Sequence, residues 1–175
     1  MVDVLLTSED YIKTNSGLDD NVWGKMLLPA MREAQEMGLQ SIIGSRLYEA
    51  LMDKVRNDEI ADDDDYRDLL DAFVQPYLMY KTIVDLIPVI SVKISNIGAI
   101  IGNEEKVLSL SKNERDLLAD YYQYRADFYC RRMQEFLCDN RKLYKELNAN
   151  DCKRMKANLT SAATTNIWLG GARGR

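Results

Sequence analysis

Carboxylates are the side chains of this sequence best spaced for chemistry. Asp68 and Asp71, Glu33 and Glu36, and Asp116 and Asp120 lie three or four residues apart, which puts each pair on one face of a helix. Carboxylate-bridged metal bundles use such pairs, but they complete the set with Glu-x-x-His motifs that project into the core. The chain has no histidine. That removes the commonest general base, the commonest metal ligand and every Ser-His or Cys-His dyad. Asp116 and Asp120 also fall on the polar side of their helix, so these pairs read as solvated faces. Asp62, Asp63, Asp64 and Asp65 are consecutive, whereas a calcium loop needs acids at alternate positions, a central glycine and a distal glutamate. The run reads as a solvated loop that caps the next helix. Repeated around a ring, the same four acids would form a strongly negative belt.

Other candidate motifs carry less. Gly98-x-x-x-Gly102 lacks the lysine and the strand-to-helix setting of a phosphate loop. Cys130, Cys138 and Cys152 are odd in number and show no C-x-x-C spacing, so they read as free thiols. Gly170 to Arg175 resembles an RGG-like end that can bind single strands, but it is very short. The expectation is no enzyme, no cofactor and no metal.

The charge is unevenly spread. Residues 1–140 hold 15 Lys and Arg against 26 Asp and Glu, while residues 141–175 hold 8 against 2. An acidic body therefore carries a basic end, an asymmetry that suits docking on an acidic surface or on nucleic acid. Within that end, Ile167-Trp168-Leu169 is the one apolar cluster. Trp and Arg are favoured interface anchors. Ile167, Trp168, Leu169, Arg173 and Arg175, with Lys153, Arg154 and Lys156, form the expected docking arm, set against docking on the chain's own core.

These residues need elements to hold them. Ser111 to Asn140 has no Pro or Gly and opens on Ser111 and Glu114, a capping-box pair. Leu117, Leu118, Tyr121, Tyr122, Tyr124, Phe128, Tyr129, Met133 and Phe136 fall on one broad arc of that helix, with Asp116, Asp120, Gln123, Asp127 and Gln134 opposite. Arg125 and Arg132 sit within the arc. A buried guanidinium needs a carboxylate, so Arg125 is expected to pair with Asp85 or Asp71. The remaining periodicity predicts helices near 8–13, 20–37, 45–56 and 64–87. Pro29 is expected to kink the second, Gly38 to end it, and Gly44-Ser45 to separate it from the third. Pro76 should bend the fourth and Pro88 close it. The β-branched stretch 89–108 reads as a small hairpin or extended loop, and 141–147 as a short helical continuation. The expected fold is mainly α, a bundle of about five helices. Residues 1–147 form the domain and 148–175 an extended basic arm.

At 175 residues the chain suits one domain with an arm. The acidic start reads as no signal peptide. No apolar run approaches the roughly 18 residues of a membrane span. A soluble protein is expected, intracellular or packed into a particle.

The order of these elements resembles a known family. Thr7-Ser8-Glu9, the acidic pair Asp19-Asp20, the Ala30/Ala34 helix and Ile42-Ile43-Gly44-Ser45-Arg46-Leu47-Tyr48 are similar to the small helical head–tail connector (adaptor) proteins of tailed bacteriophages. Asn96-Ile97-Gly98 and the Tyr-rich helix ending Phe136-Leu137-x-x-Asn140 look like the longer version in phages of Bacteroidota, including crAss-like phages. The resemblance covers about residues 5–147. It implies a closed homo-oligomeric ring, commonly twelve-fold, below the portal protein and against other tail or connector proteins. Such a ring passes double-stranded DNA without binding it, contacts no membrane, and belongs to a virion made in the host cytoplasm. It implies no catalytic residue. The competing reading is a cytosolic helical-bundle binding or regulatory module with a peptide-like docking tail.

Overall fold

In the computed structural model the backbone is described for residues 4–17, 24–90, 92–95, 98–101 and 111–165, and side chains through 89 and over 111–157. The chain is mainly helical. Ser8 caps α1 (Glu9–Asn15) by accepting from the Tyr11 N–H at 3.0 Å. Then α2 (Gly24–Glu33) runs without interruption through a π-helical turn (Ala34–Leu39) into α3 (Gln40–Ile43). Gly44 stops it at φ 83°, a conformation open to a residue without Cβ, and serves at once as the N-cap of α4 (Ser45–Arg56). A single 3₁₀ turn (Ile60–Asp62) leads into α5 (Asp64–Leu69), which Asp63 caps through the Tyr66 N–H. A second π-helical turn (Leu70–Val74) joins α5 to α6 (Gln75–Ile90). Two four-residue segments, β1 (Val92–Ser95) and β2 (Gly98–Ile101), run antiparallel with Val92 opposite Ile101. The capping box at Ser111 and Glu114 opens α7 (Lys112–Asp139). Asn140 closes it, its side chain donating to the Phe136 carbonyl at 3.0 Å. Last comes α8 (Ala149–Thr165).

Several boundaries differ from the sequence reading, each for a local reason. Gly38 does not end its helix. It lies inside the first π turn, where a methyl group would sit 2.7 Å from the Tyr77 hydroxyl, so the glycine is there for close packing against α6. Pro29 lies within α2, and Pro76 is the second residue of α6, directly after the second π turn. In that turn the Gln75 N–H reaches back to Leu70, five residues rather than four, so the ladder changes register just before the residue that has no N–H. Pro88 does not close α6, which continues to Ile90 and takes up the first residues expected to be extended. Residues 102–108 of the expected β stretch lie outside the described residues. Arg141 to Leu147 forms turns rather than a helix.

α6 is the hub of the packing, with α7 on one flank and α2 on another. Its apolar residues surround it, as a helix buried on most sides requires. Leu78 joins Leu39, Ile43, Leu47, Leu51, Leu69, Met133, Leu137, Tyr144 and Met155 in the larger core cluster. Met79, Ile83 and Leu86 join Ile12, Leu27 and Met31 in the smaller one. Phe73 stacks on Phe136 with ring centres 4.5 Å apart, and Tyr80 on Tyr129 at 5.7 Å. Among the described residues no helix is long and apolar enough to cross a membrane.

The expected boundary at 148 is also corrected. Cys152 and Met155 are buried, Met155 within the main core, and Arg46 pairs with Asp151 at 3.0 Å. The body therefore extends into α8, and residues 149–165 are helical rather than an extended arm.

Candidate interaction surface

The long helix α7 has two apolar faces. At about 100° per residue, Ala126, Met133 and Leu137 define one side, and all three are fully buried. Leu117, Tyr121, Tyr124 and Phe128 lie on the opposite side, and they are 68%, 50%, 70% and 49% exposed. In the sequence the two faces merge into one arc, because Tyr122, Tyr129 and Phe136 bridge them. Gln134, expected on the polar side, is buried. Single exposed apolar residues are ordinary, but a contiguous exposed apolar stripe marks an interaction site. The stripe is ordered by its own neighbours. Tyr121 meets Tyr122 edge-on at 5.2 Å, and Phe128 meets Tyr129 edge-on at 5.4 Å.

Two arginines flank this stripe. Arg125 is half-buried, its guanidinium 3.5 Å above the Tyr121 ring and donating to the Tyr121 carbonyl at 3.3 Å. This corrects the expected buried ion pair. Asp85, its expected partner, is taken by Lys81 at 2.5 Å, and Asp71 is exposed. Arg132 is exposed and lies 5.6 Å from the Phe128 ring centre. Among the described residues neither arginine makes an ion pair, and a planar cation over an aromatic face is the alternative the geometry provides.

The aspartate run is built into the start of α5. Asp63 caps the helix and pairs with Lys54 at 2.8 Å, and Lys54 lies 4.6 Å from the Tyr66 ring centre. The hydrogen bond from Lys54 holds the Asp63 carboxyl below its ordinary range. Asp64 pairs with Arg67. Asp62, Asp64 and Asp65 are exposed. Beneath them Tyr66 donates to Glu146, and Tyr144 donates to the Asp65 carbonyl at 2.9 Å. Burial pushes both phenols above their usual range, with the Glu146 carboxylate adding to the shift at Tyr66. Tyr144 was missed in the sequence because 141–147 reads as a short helical continuation with no core face, whereas the segment forms turns that bring Tyr144 inward. Tyr144 is one of the largest fully buried side chains.

Of the residues expected to form a docking arm, Lys153, Arg154 and Lys156 are exposed on α8. Arg154 lines a shallow hollow with Gly44, Ser45, Arg46 and Asp151 at the start of α4. Ile167, Trp168, Leu169, Arg173 and Arg175 lie outside the described residues. The three cysteines are free thiols, and burial raises Cys130 to about 11 and Cys138 to about 12. Among the described residues no group of three or more His, Cys, Asp or Glu is placed to hold a metal ion.

The fold thus defines a helical body with an unpartnered aromatic face. Residues 39–157, more than half of the chain, match DUF6712, a family of unknown function, and the chain belongs to that family. No curated protein and no solved structure matches it.

Proposed function

We propose that this chain is a structural subunit that assembles with copies of itself, and that the assembly is a head–tail connector ring of a tailed bacteriophage. The exposed stripe Leu117, Tyr121, Tyr124 and Phe128, on the side of α7 that the core does not use, carries the first part of the reading. The resemblance over residues 5–147 supports the second, and it overlaps the family match over residues 39–147. In this reading about twelve copies form a ring below the portal protein, contact other tail or connector proteins, and sit in the virion. The acidic body suits a DNA conduit, because negative walls repel phosphates and leave a duplex free to move. Asp62, Asp63, Asp64 and Asp65 belong to the lumen or its rim. The short β element offers an edge for pairing with a neighbour. Ile167-Trp168-Leu169 and the basic residues around it anchor the chain on the next subunit or on the portal.

Native mass and low-magnification particle images test this directly. The expected result is a closed ring of many copies with a central opening. A chain that stays monomeric or dimeric at every concentration, and that does not bind a portal ring, overturns the connector reading and favours the helical binding module.

A further inference from the structure

The stripe on α7 follows the spacing of a coiled-coil seam. Leu117 to Tyr121 is four residues, Tyr121 to Tyr124 three, and Tyr124 to Phe128 four. Written as heptads, Tyr121 and Phe128 take the a positions and Leu117 and Tyr124 the d positions. That assignment fixes the flanks. Asp120 and Asp127 fall at g, and Arg125 and Arg132 fall at e. In a parallel pair of helices a g residue faces the e residue five positions further along its partner, and these contacts set orientation and partner choice. Asp120 then meets Arg125 of the other copy, and Asp127 meets its Arg132. An antiparallel pair would set Asp against Asp and Arg against Arg.

We infer that the occupant of this face is the same face of a second copy of the chain, with the two α7 helices side by side and parallel. The charge pattern selects the occupant, because one surface carries both signs at the offset that self-pairing requires. The groups are also positioned for it. Asp120 is exposed, Asp127 accepts from Gln123 on its own helix at 2.7 Å, and Arg125 is held in place over Tyr121. The stripe points directly away from the buried side of α7, so the two bodies lie outside the seam. The seam is short, about 16 Å from Leu117 to Phe128, and ends where Arg131 takes the next d position. Neighbours in a head-to-tail ring meet through two different faces, so this two-fold, same-face contact lies outside the ring's own interfaces. It rests on the reading of the chain as a self-associating subunit.

Charge reversal in the full-length chain tests it. One variant carries Asp120→Arg and Asp127→Arg, a second Arg125→Asp and Arg132→Asp, and a third all four changes. All four positions lie off the buried face, so circular dichroism and melting should match the parent. By sedimentation, each double variant should associate at least about tenfold more weakly than the parent. The quadruple variant should regain association, because its g and e charges again oppose. Mixing the two double variants should also restore it. If the double variants assemble like the parent, the seam is wrong and the ring reading stands. If the quadruple variant stays as weak as the doubles, parallel pairing is wrong. If the parent itself never associates, both readings fall.

Discussion

The side chain of Gln35 binds the backbone around Leu6 much as a neighbouring strand would. Its Oε1 accepts from the Leu6 N–H at 2.8 Å, and its Nε2 donates to the Val4 carbonyl at 3.0 Å and to the Tyr48 hydroxyl at 3.1 Å. Gln35 is itself buried and lies in the first π-helical turn. One side chain thereby satisfies two main-chain groups of the N-terminal segment and ties them to α4.

Gln35→Leu keeps the volume and removes that satisfaction. A buried N–H left without a partner costs about 1–3 kcal/mol. Urea denaturation should show a loss of this size, and hydrogen exchange at the Leu6 amide should become much faster. Unchanged protection at Leu6 would mean that water replaces the glutamine.

Arg125→Ala should cost little in the isolated subunit. A buried salt bridge broken on one side costs about 3–5 kcal/mol, but this guanidinium is half-exposed and stacked on Tyr121. A contact of that kind contributes about 0.5–1 kcal/mol. A melting curve close to the parent is expected, and a loss above about 2 kcal/mol would show that a hidden carboxylate partner exists.

The contrast between Gln35 and Arg125 shows what could be read from residue order. Helix starts were legible where a cap is local. The Ser111–Glu114 box sits within three residues of what it caps, and the structure uses it that way. Gly44 ends its helix as expected, although it and not Ser45 is the N-cap of α4. Helix ends and faces were less so. Gly38 and Pro88 look like stops by propensity, yet Gly38 lies inside its helix packed on Tyr77, and α6 runs through Pro88 to Ile90. The aromatic arc of α7 merged two faces because apolar residues cover both, and only burial separates Met133 from Tyr124. Tyr144, Met155 and Gln35 carry no periodic signal at all. Their roles depend on partners far away in sequence, such as Asp65 for Tyr144.

Acid should weaken the cap of α5. The Lys54 hydrogen bond lowers the folded-state pKa of Asp63 below its ordinary value of 3.8. A lowered carboxyl pKa adds stability above the unfolded value, and that stability is lost as pH falls through the folded one. Asp63→Asn keeps a good N-cap and removes the pair. It should cost about 1 kcal/mol or less near neutral pH, because the pair is partly solvated, and should reduce the loss of stability as pH falls below the ordinary carboxylate value of 3.8.

Alkali should act through the tyrosines. Tyr66 and Tyr144 have phenols whose folded pKa lies above the unfolded value of about 10. Their contribution is fully present below pH 10 and is lost as pH rises through the folded values. Ultraviolet titration should show these two ionising only as the protein unfolds. Tyr144→Phe removes the bond to Asp65, so it should cost about 1 kcal/mol and leave one fewer late-titrating phenol.

The first turns of α8 belong to the core, and truncation should show where the body ends. Met155 is fully buried among core residues, and the Cys138 thiol lies 3.7 Å from the Cys152 carbonyl. Met155→Ala should therefore cost about 2–5 kcal/mol, as large-to-small changes in a packed core do. A chain ending at Asn148 loses Cys152, Met155 and the Arg46–Asp151 pair together, so it should melt far below the parent or fail to fold. A chain ending at Thr165 keeps all three and should retain near-parent stability. Comparing the two separates packing from docking. If the Thr165 chain folds normally but no longer assembles, Ile167-Trp168-Leu169 and the terminal arginines act on another subunit. Should it assemble normally, those residues are not needed for assembly. If it loses several kcal/mol, they pack on their own body instead.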